Sequence, residues 1–367
     1  MTVFERNNPA MATIEERYPL TGKGSSKSIY HVRLKLPVIT PPFSVGDSIG
    51  ILSQNDFGHV SSLLEALNYS GKEIVKDPRR QDSLPLHQYL LERVNLARLN
   101  PSLVRLAAIE MSATPEERKL FLNSQDPLIF LRNHSPAPLP LELLPACFGP
   151  LLPRFYSIAS SPLLHPGAID LTVAVLSYTI GEETRRGVAN HFLCSQAKIG
   201  KTPIPFYVQP AHHFALPDEP NTKIIMVGPG TGVAPFRAFL QERIHLNSTG
   251  DHWLFFGERH EEHDFFYKDY WHSLVEKKKL RLSTAFSRAS HEKFYVQHAM
   301  EAEGKELFRW LEEGGYFYVC GDAKQMARDV DATLHKLVAL HGKLSAEEAK
   351  SYVKSLKAAG RYLTDVY

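Results

Sequence analysis

Residues 226–237 read Met-Val-Gly-Pro-Gly-Thr-Gly-Val-Ala-Pro-Phe-Arg, with Gly228, Gly230 and Gly232 at alternate positions behind the apolar, β-rich run Ile224 to Val227. A helical pattern starts directly after them, over residues 235–246, with Pro235 in the first turn, where its missing N–H is no loss. A strand that ends in a glycine turn and feeds a helix N-terminus is an anion site. Bare backbone N–H groups and the positive end of the helix dipole face the turn. Glycine lets the backbone approach a pyrophosphate without a Cβ in the way. The spacing, Gly230-x-Gly232-x-x-Pro235, is not the G-x-G-x-x-G of NAD-type Rossmann folds. Taken alone, an ordinary tight turn between strand and helix would read the same.

The pattern around that turn assigns it to a parallel α/β sheet. From residue 222 onward strands and helices alternate. Strands are expected over 223–227, 252–256, 280–286 and 316–320, and helices over 235–246, 264–277 and, in broken form, 296–313. A long amphipathic helix from Lys324 stops at Gly342, Ser345 caps a last helix, and 361–367 forms a short terminal strand. The N-terminal part reads as β, with alternation over 28–36 and a second run over 43–52. From Asp56 the period becomes helical, with Val60, Leu63, Leu64 and Leu67 on one face and Leu86, Leu90, Leu91 and Val94 on another. Thr114-Pro115-Glu116-Glu117 is a capping box that opens a helix to Asn123. Pro136, Pro138, Pro140 and Pro145 mark a stiff, extended connection before β patterning resumes over 154–158, 169–176 and 203–208. The expected division is a β domain over 1–55 and 151–221, a helical insert over 56–150, and an α/β domain over 222–367.

Composition narrows the function. A chain of 367 residues with a net charge of +2 has no basic field for nucleic acid. The N-terminus lacks the apolar core of a signal peptide, and nothing approaches a membrane-spanning run. Cys147, Cys194 and Cys320 are scattered, which argues against a disulfide framework or an iron–sulfur cluster and for the cytosol.

Two further motifs accompany the glycine turn. Arg154-Phe155-Tyr156-Ser157 combines a phosphate fork, rings that can stack and a hydroxyl donor, the three things a flavin requires; standing alone it would be a strand with a satisfied surface arginine. Gly187-Val188-Ala189-Asn190 is a second glycine-led helix start. His260-Glu261-Glu262-His263 and His212-His213 lack a convincing set of further metal ligands and read as solvated loops. Glu258 ends the second α/β strand, where an NAD enzyme keeps its ribose-binding acid. Against that stand Ser287, Arg288 and Lys293, donors suited to a dianion, so NADPH is expected.

The ordered set Arg154 to Ser157, Gly187 to Leu193, Gly228 to Phe236, Ser287-Arg288, Lys293-x-Tyr295-Val296-Gln297, Cys320-Gly321-Asp322 and Arg361-Tyr362-x-x-Asp365-Val366-Tyr367 resembles the ferredoxin–NADP reductase module of the diflavin reductases. Within that family it is most similar to the flavoprotein subunits of NADPH–sulfite reductases, which also end in Asp-Val-Tyr. The resemblance implies an antiparallel FAD-binding β-barrel with a helical connecting insert, followed by a five-stranded parallel α/β NADP-binding domain. It implies that Arg154, Phe155, Tyr156 and Ser157 hold FAD, that Thr172, Val173, Ala174 and Tyr178 line its site, and that Gly187, Val188, Ala189 and Asn190 bind its diphosphate. Gly228, Gly230, Thr231 and Gly232 would seat NADPH, and Ser287, Arg288, Lys293, Tyr295 and Gln297, with Asp329 nearby, would read its 2′-phosphate. Cys320 and Asp365 would flank the nicotinamide, Ser157 would bond at flavin N5, and Tyr367 would stack on the flavin.

Two departures stand out. The family usually carries Ser or Thr where Asn190 stands. Only a short stretch precedes the first strand, so no flavodoxin-like FMN domain is expected and the chain would hold FAD alone. The implied activity is hydride transfer from NADPH to FAD and onward electron transfer to a redox protein, a sulfite reductase hemoprotein or a separate flavodoxin or ferredoxin. A flavodoxin or ferredoxin–NADP reductase is the alternative within that class, and a non-catalytic nucleotide-binding flavoprotein scaffold is the alternative outside it.

Overall fold

The computed structural model describes residues 4–111, 114–134, 137–289 and 291–367. The chain divides into two compact units, one of Met1–Gly50, Phe155–Ala174 and Phe206–Tyr367, the other of Ile51–Arg154 and Val175–Pro205.

The first unit contains a five-stranded sheet in the order Arg281–Phe286, His252–Glu258, Ile224–Val227, Tyr316–Gly321, Tyr362–Val366, parallel throughout. The strands match the expected positions to within a residue or two. Alternation along them builds two cores. Ile225, Val227, Trp253 and Phe317 pack with Met300, Trp310, Val330 and Leu334 on one face, while Ile224, Met226, Leu254 and Phe256 pack with Phe236, Phe239 and Trp271 on the other. A sheet covered on both faces needs the near-continuous apolar runs these strands show. The chain enters at the central strand, builds outward to one side, then crosses to the other. The order therefore reverses between Ile224–Val227 and Tyr316–Gly321, and such a switch point opens a ligand crevice at the strands' carboxyl ends.

One expected helix is split. Residues 264–277 divide into the single turn Glu261–Asp264 and the helix Lys268–Glu276, because Phe265 and Phe266 turn inward onto Phe256 and Tyr267 takes a left-handed conformation at φ 57°. The His260–His263 segment is thus part of a helical turn rather than a loop.

The six-stranded sheet has the order Arg154–Ser157, Ser48–Ile51, Pro203–Gln209, Ala10–Pro19, Ile29–Lys35, Ala168–Ala174, with antiparallel pairing at Ala10–Pro19/Ile29–Lys35 and Ile29–Lys35/Ala168–Ala174. Ala10–Pro19 escapes a reading of periodicity, since a bulge between Ile14 and Glu16 ends the alternation that buries Ala10, Ala12 and Ile14. The barrel expected from sequence is not a closed one. Its outer strands meet through the bridge Ile158–Leu171, the bond from the Ala159 N–H to the Asp170 carbonyl at 2.8 Å and the bond from the Asp170 N–H to Ser160 Oγ at 2.9 Å. Beneath that edge lies a buried charge cluster. The Asp170 carboxylate accepts from Arg33 at 2.6 and 2.8 Å and from Arg237 at 2.8 Å, and the Arg237 guanidinium lies 4.9 Å from the Tyr267 ring centroid.

The second unit is mainly helical, with Phe57–Leu67, Leu86–Glu92, Pro101–Leu106, Pro115–Asn123 and Pro127–His134 around a core that includes Val60, Leu63, Leu67, Leu90, Phe130 and Phe148. Thr114 caps Pro115–Asn123: its Oγ1 accepts from the Glu117 N–H at 3.4 Å and its hydroxyl donates to Glu117 Oε2 at 2.8 Å. From Pro140 onward the proline-rich connection is turn and 3-10 helix in place of the expected extended chain. Leu144–Cys147 forms a short 3-10 helix after a turn at Pro140, which buries Leu144 and Cys147; Pro136 lies outside the described residues. A hairpin pairs Ser177–Ile180 with Glu183–Arg186 and leads into Val188–His191 and the wide turn Phe192–Gln196.

Candidate cofactor site

In the first unit the glycine turn is a close-packed junction. A Cβ on Gly232 would lie 2.1 Å from the Cys320 carbonyl oxygen, and one on Gly228 would lie 2.6 Å from the Phe236 ring. Gly230 has φ +60°, the left-handed region that favours glycine. Gly230–Val233 is a single 3-10 turn that runs into the helix Ala234–His245, with Pro235 in its first turn.

Beside this turn the parallel ladder brings Cys320 and Asp365 together as register partners. The Asp365 carboxylate accepts a hydrogen bond from the Ser157 hydroxyl at 3.0 Å, and Cys320 Sγ lies 3.9 Å from the same Oδ2. Cys320 is fully buried. Desolvation and the Asp365 charge push its thiol well above its ordinary value, so it stays protonated and uncharged. The Tyr367 hydroxyl and Thr231 Oγ1 are 2.8 Å apart, although the tyrosine is largely exposed. Four separated segments, carrying Ser157, Thr231, Cys320 and Asp365–Tyr367, thus supply a connected set of polar contacts.

A cavity of about 680 Å³ opens at the carboxyl ends of the same strands. Ser287, Arg288, Lys293, Tyr295, Gln297 and Asp329 all line it, as does Gly230. Asp329 lines the cavity with the further acids Glu258 and Asp322, and its role in the geometry is to hold amides. It accepts from Gln325 Nε2 at 2.8 Å and from Gln297 Nε2 at 3.4 Å. Lys27, Arg259 and Gln325 also line the cavity, and no motif had singled them out. Lys27 carries no signal in the sequence, since it is one lysine in a glycine–serine loop. A wide cavity with several cationic and amide donors beside a turn that admits no Cβ fits a dinucleotide with an additional phosphate.

On the strand Arg154–Ser157, Arg154 and Phe155 are exposed while Tyr156 and Ser157 are half-buried; Phe155 meets Tyr207 edge-on at 5.9 Å. Thr172 and Val173 are buried and Ala174 is half-buried. The Thr172 hydroxyl is engaged with the Tyr267 hydroxyl at 2.8 Å, which turns it inward.

In the second unit, Tyr178 and Val188 line a cavity of about 390 Å³ together with His59, Arg132, Arg185 and Arg186. Two buried nitrogens there, His59 Nε2 and the donor Arg185 Nη2, have no hydrogen-bond partner among the described residues. Orphaned nitrogens around a cavity fit an anionic group such as a diphosphate. Gly187 caps Val188–His191; Ala189 and Asn190 are buried, and a Cβ on Gly187 would lie 2.7 Å from Asn190 Nδ2. Asn190 is therefore packed under the turn. His59 and Arg132 of this cavity were missed because they stand far in sequence from the Gly187 motif, whereas Arg185 and Arg186 directly precede it.

Among the described residues no group of three or more metal-capable side chains occurs, and no helix is long and apolar enough to cross a membrane.

Comparison with known proteins agrees with this geometry. Residues 85–195 match the FAD binding domain family, and residues 226–332 match the oxidoreductase NAD-binding domain family. The chain is 37% identical over 377 residues to the sulfite reductase [NADPH] flavoprotein alpha-component of Shewanella sp. (strain MR-7), covering 99% of this chain and 62% of that protein. It is 36% identical over 376 residues to the protein of the same name from Bacillus subtilis (strain 168), with the same coverage. The counterpart in Vibrio cholerae serotype O1 (strain ATCC 39315 / El Tor Inaba N16961) is 36% identical over 373 residues, covering 99% of this chain and 60% of that protein. The chain thus spans about three-fifths of the length of the relatives it matches. With an FAD-binding and an NAD-binding oxidoreductase segment in that order, and similarity along nearly its whole length, the chain carries the two domain types of a flavoprotein oxidoreductase and is a homologue of part of the sulfite reductase [NADPH] flavoprotein alpha-components.

Proposed function

We propose that the chain accepts a hydride from NADPH onto FAD and passes the electrons to a redox protein, in the first instance a sulfite reductase hemoprotein. The domains are assigned as 1–55 and 151–221 for FAD, 56–150 as the helical connection and 222–367 for NADPH. The compartment proposed is the cytosol. The observation that carries the reading is the contact of Ser157, Cys320 and Asp365 beside a glycine turn and a cavity of basic donors.

When bound, the two cofactors supply hydride donation and acceptance, and the protein supplies position and field. Arg288 and Lys293 hold the 2′-phosphate, with Ser287, Tyr295 and Gln297 as hydrogen-bond donors and Asp329 orienting Gln297. Asp365 orients the Ser157 hydroxyl and places a negative charge where positive charge develops as hydride leaves. Cys320, held neutral, offers an uncharged wall beside that carboxylate. Arg154, Phe155, Tyr156, Ser157, Thr172, Val173, Ala174, Tyr178 and Gly187 to Asn190 are assigned to FAD. Thr172 and Val173 serve through their backbone, since their side chains are buried.

The test is anaerobic addition of NADPH to the purified chain. Loss of the oxidised flavin absorbance, and FAD as the cofactor released on denaturation, are expected. Persistent oxidised flavin would leave a scaffold, and released FMN would overturn the cofactor assignment. Turnover restored by a hemoprotein supports the proposed partner; turnover restored only by flavodoxin or ferredoxin replaces it.

A further inference from the structure

We propose that Lys27 determines nucleotide specificity by neutralising Glu258, which would otherwise favour NADH; the inference rests on the NADPH reading above. Glu258 ends the strand His252–Glu258, where the acid of an NAD enzyme accepts ribose hydroxyls. Here that carboxylate is engaged. Its Oε1 accepts from the Lys27 ammonium, and its Oε2 accepts from the Arg259 N–H at 2.8 Å. The Glu258 side chain is 2% exposed, against 33% for Lys27, so the lysine is the side chain that screens it.

Lys27 is held there by its own loop. The Gly22 N–H donates to the His263 carbonyl at 2.7 Å, the Ser25 hydroxyl donates to the buried Asp264 carboxylate, and Arg259 donates to Ser26 Oγ at 2.6 Å. The Lys27 N–H in turn donates to Ser25 Oγ at 3.0 Å. Three anchors on the segment that follows Glu258 therefore deliver the ammonium to its carboxylate.

The pair also adjoins the 2′-phosphate donors. The Ser287 N–H donates to the Glu258 carbonyl at 2.9 Å, and the Arg288 N–H donates to the Arg259 carbonyl at 2.9 Å. All these residues line one cavity. An unscreened buried carboxylate beside a bound dianion is repulsive, whereas the same carboxylate beside a ribose diol is an acceptor. Which nucleotide the cavity selects thus depends on a side chain from the loop that joins Ala10–Pro19 to Ile29–Lys35.

The experiment measures dissociation constants of adenosine 2′,5′-bisphosphate and 5′-ADP by calorimetry with the FAD-loaded full chain. Lys27→Met is expected to weaken the bisphosphate by roughly tenfold or more, the size of one unshielded charge at several ångströms, and to weaken 5′-ADP much less. Lys27→Arg keeps the charge and is expected to bind both probes as wild type does. Adding Glu258→Gln to Lys27→Met removes the exposed acid and is expected to restore bisphosphate binding, which a merely misfolded variant would not do. Equal weakening of both probes by Lys27→Met, or no rescue by Glu258→Gln, overturns the proposal and leaves the NADPH reading standing. A wild-type chain with no preference for the bisphosphate overturns both.

Discussion

At the scale of single residues, two side chains separate the steps of nucleotide recognition. Arg288 lines the cavity with Lys293 and Ser287, and the group it is assigned to is present only in NADPH. Arg288→Ala should weaken NADPH by about ten- to a hundredfold, corresponding to roughly 1.5–3 kcal/mol for a charge-assisted bond, and should leave NADH nearly unchanged. Equal losses in titrations with both nucleotides would remove Arg288 from that role. The Tyr367 backbone is anchored by bonds to Gly321 and Ala323, while its side chain is more than half exposed with the hydroxyl 2.8 Å from Thr231 Oγ1 on the glycine turn, so the ring is the part that can be displaced. Its assigned place is over the flavin, where nicotinamide must expel it. NADPH has the 2′-phosphate grip to drive that displacement and NADH does not. Tyr367→Ala should therefore raise kcat/KM for NADH proportionally more than for NADPH, read with ferricyanide as acceptor. An unchanged ratio would show that the ring does not gate the site.

At the scale of elements, the glycine turn couples backbone packing to chemistry. Gly232 lets the turn lie against the carbonyl of Cys320, and the ladder then fixes Cys320 beside Asp365. In Gly232→Ala the added Cβ meets backbone at 2.1 Å, so the turn or the strand must shift. Overpacking of this kind costs about 1–3 kcal/mol, and the displaced strand carries the Cys320–Asp365 pair with it. The expected result is a folded protein with a lowered melting temperature and much slower flavin reduction by NADPH in stopped flow; wild-type reduction would show that the contact is not needed. This turn was legible because glycine spacing, proline position and helix start are all local. The hairpin Ser177–Ile180/Glu183–Arg186 was not, since its strands are mostly exposed and show no apolar alternation. The splitting of the helix expected over 264–277 was also hidden, because it depends on what Phe265 and Phe266 can reach across the fold.

At the scale of the first unit as a whole, buried charge ties its antiparallel sheet to the helix Ala234–His245. Asp170→Asn would leave Arg33 and Arg237 facing a neutral amide, and breaking a buried pair of this type costs about 3–5 kcal/mol. Urea unfolding of the two forms at pH 7 checks it, and a difference below about 1 kcal/mol would show the cluster to be replaceable. The arginines hold the Asp170 carboxyl down at about 2 in the fold, against an ordinary value of 3.8. Its contribution is thus complete above about pH 4 and is lost as pH falls towards 2. Burial also lowers His31 and His252 from 6.5 to about 4, so the unfolded chain takes up their protons first. Stability should accordingly begin to fall below about pH 6.5 and continue to fall towards 4. A melting temperature unchanged between pH 7 and 4.5 would contradict the buried, neutral state of both histidines.

The sequence by itself determined the parallel sheet, most of its helices, the Ser345 cap, the glycine turn and the kinds of donor gathered around it. Each of those rests on periodicity or on neighbours a few residues apart, which a linear chain displays directly. Tertiary structure alone decided the contacts on which the proposed chemistry depends. Ser157 reaches Asp365, Tyr367 reaches Thr231, Lys27 reaches Glu258 and Arg237 reaches Asp170. The partners in each pair come from distant segments, and only the folded arrangement of strands, loops and helices brings their side chains within hydrogen-bonding distance. Sequence can show that an acid such as Glu258 stands where NADH would want it. Whether its charge is available is settled by the ammonium that packing places against it.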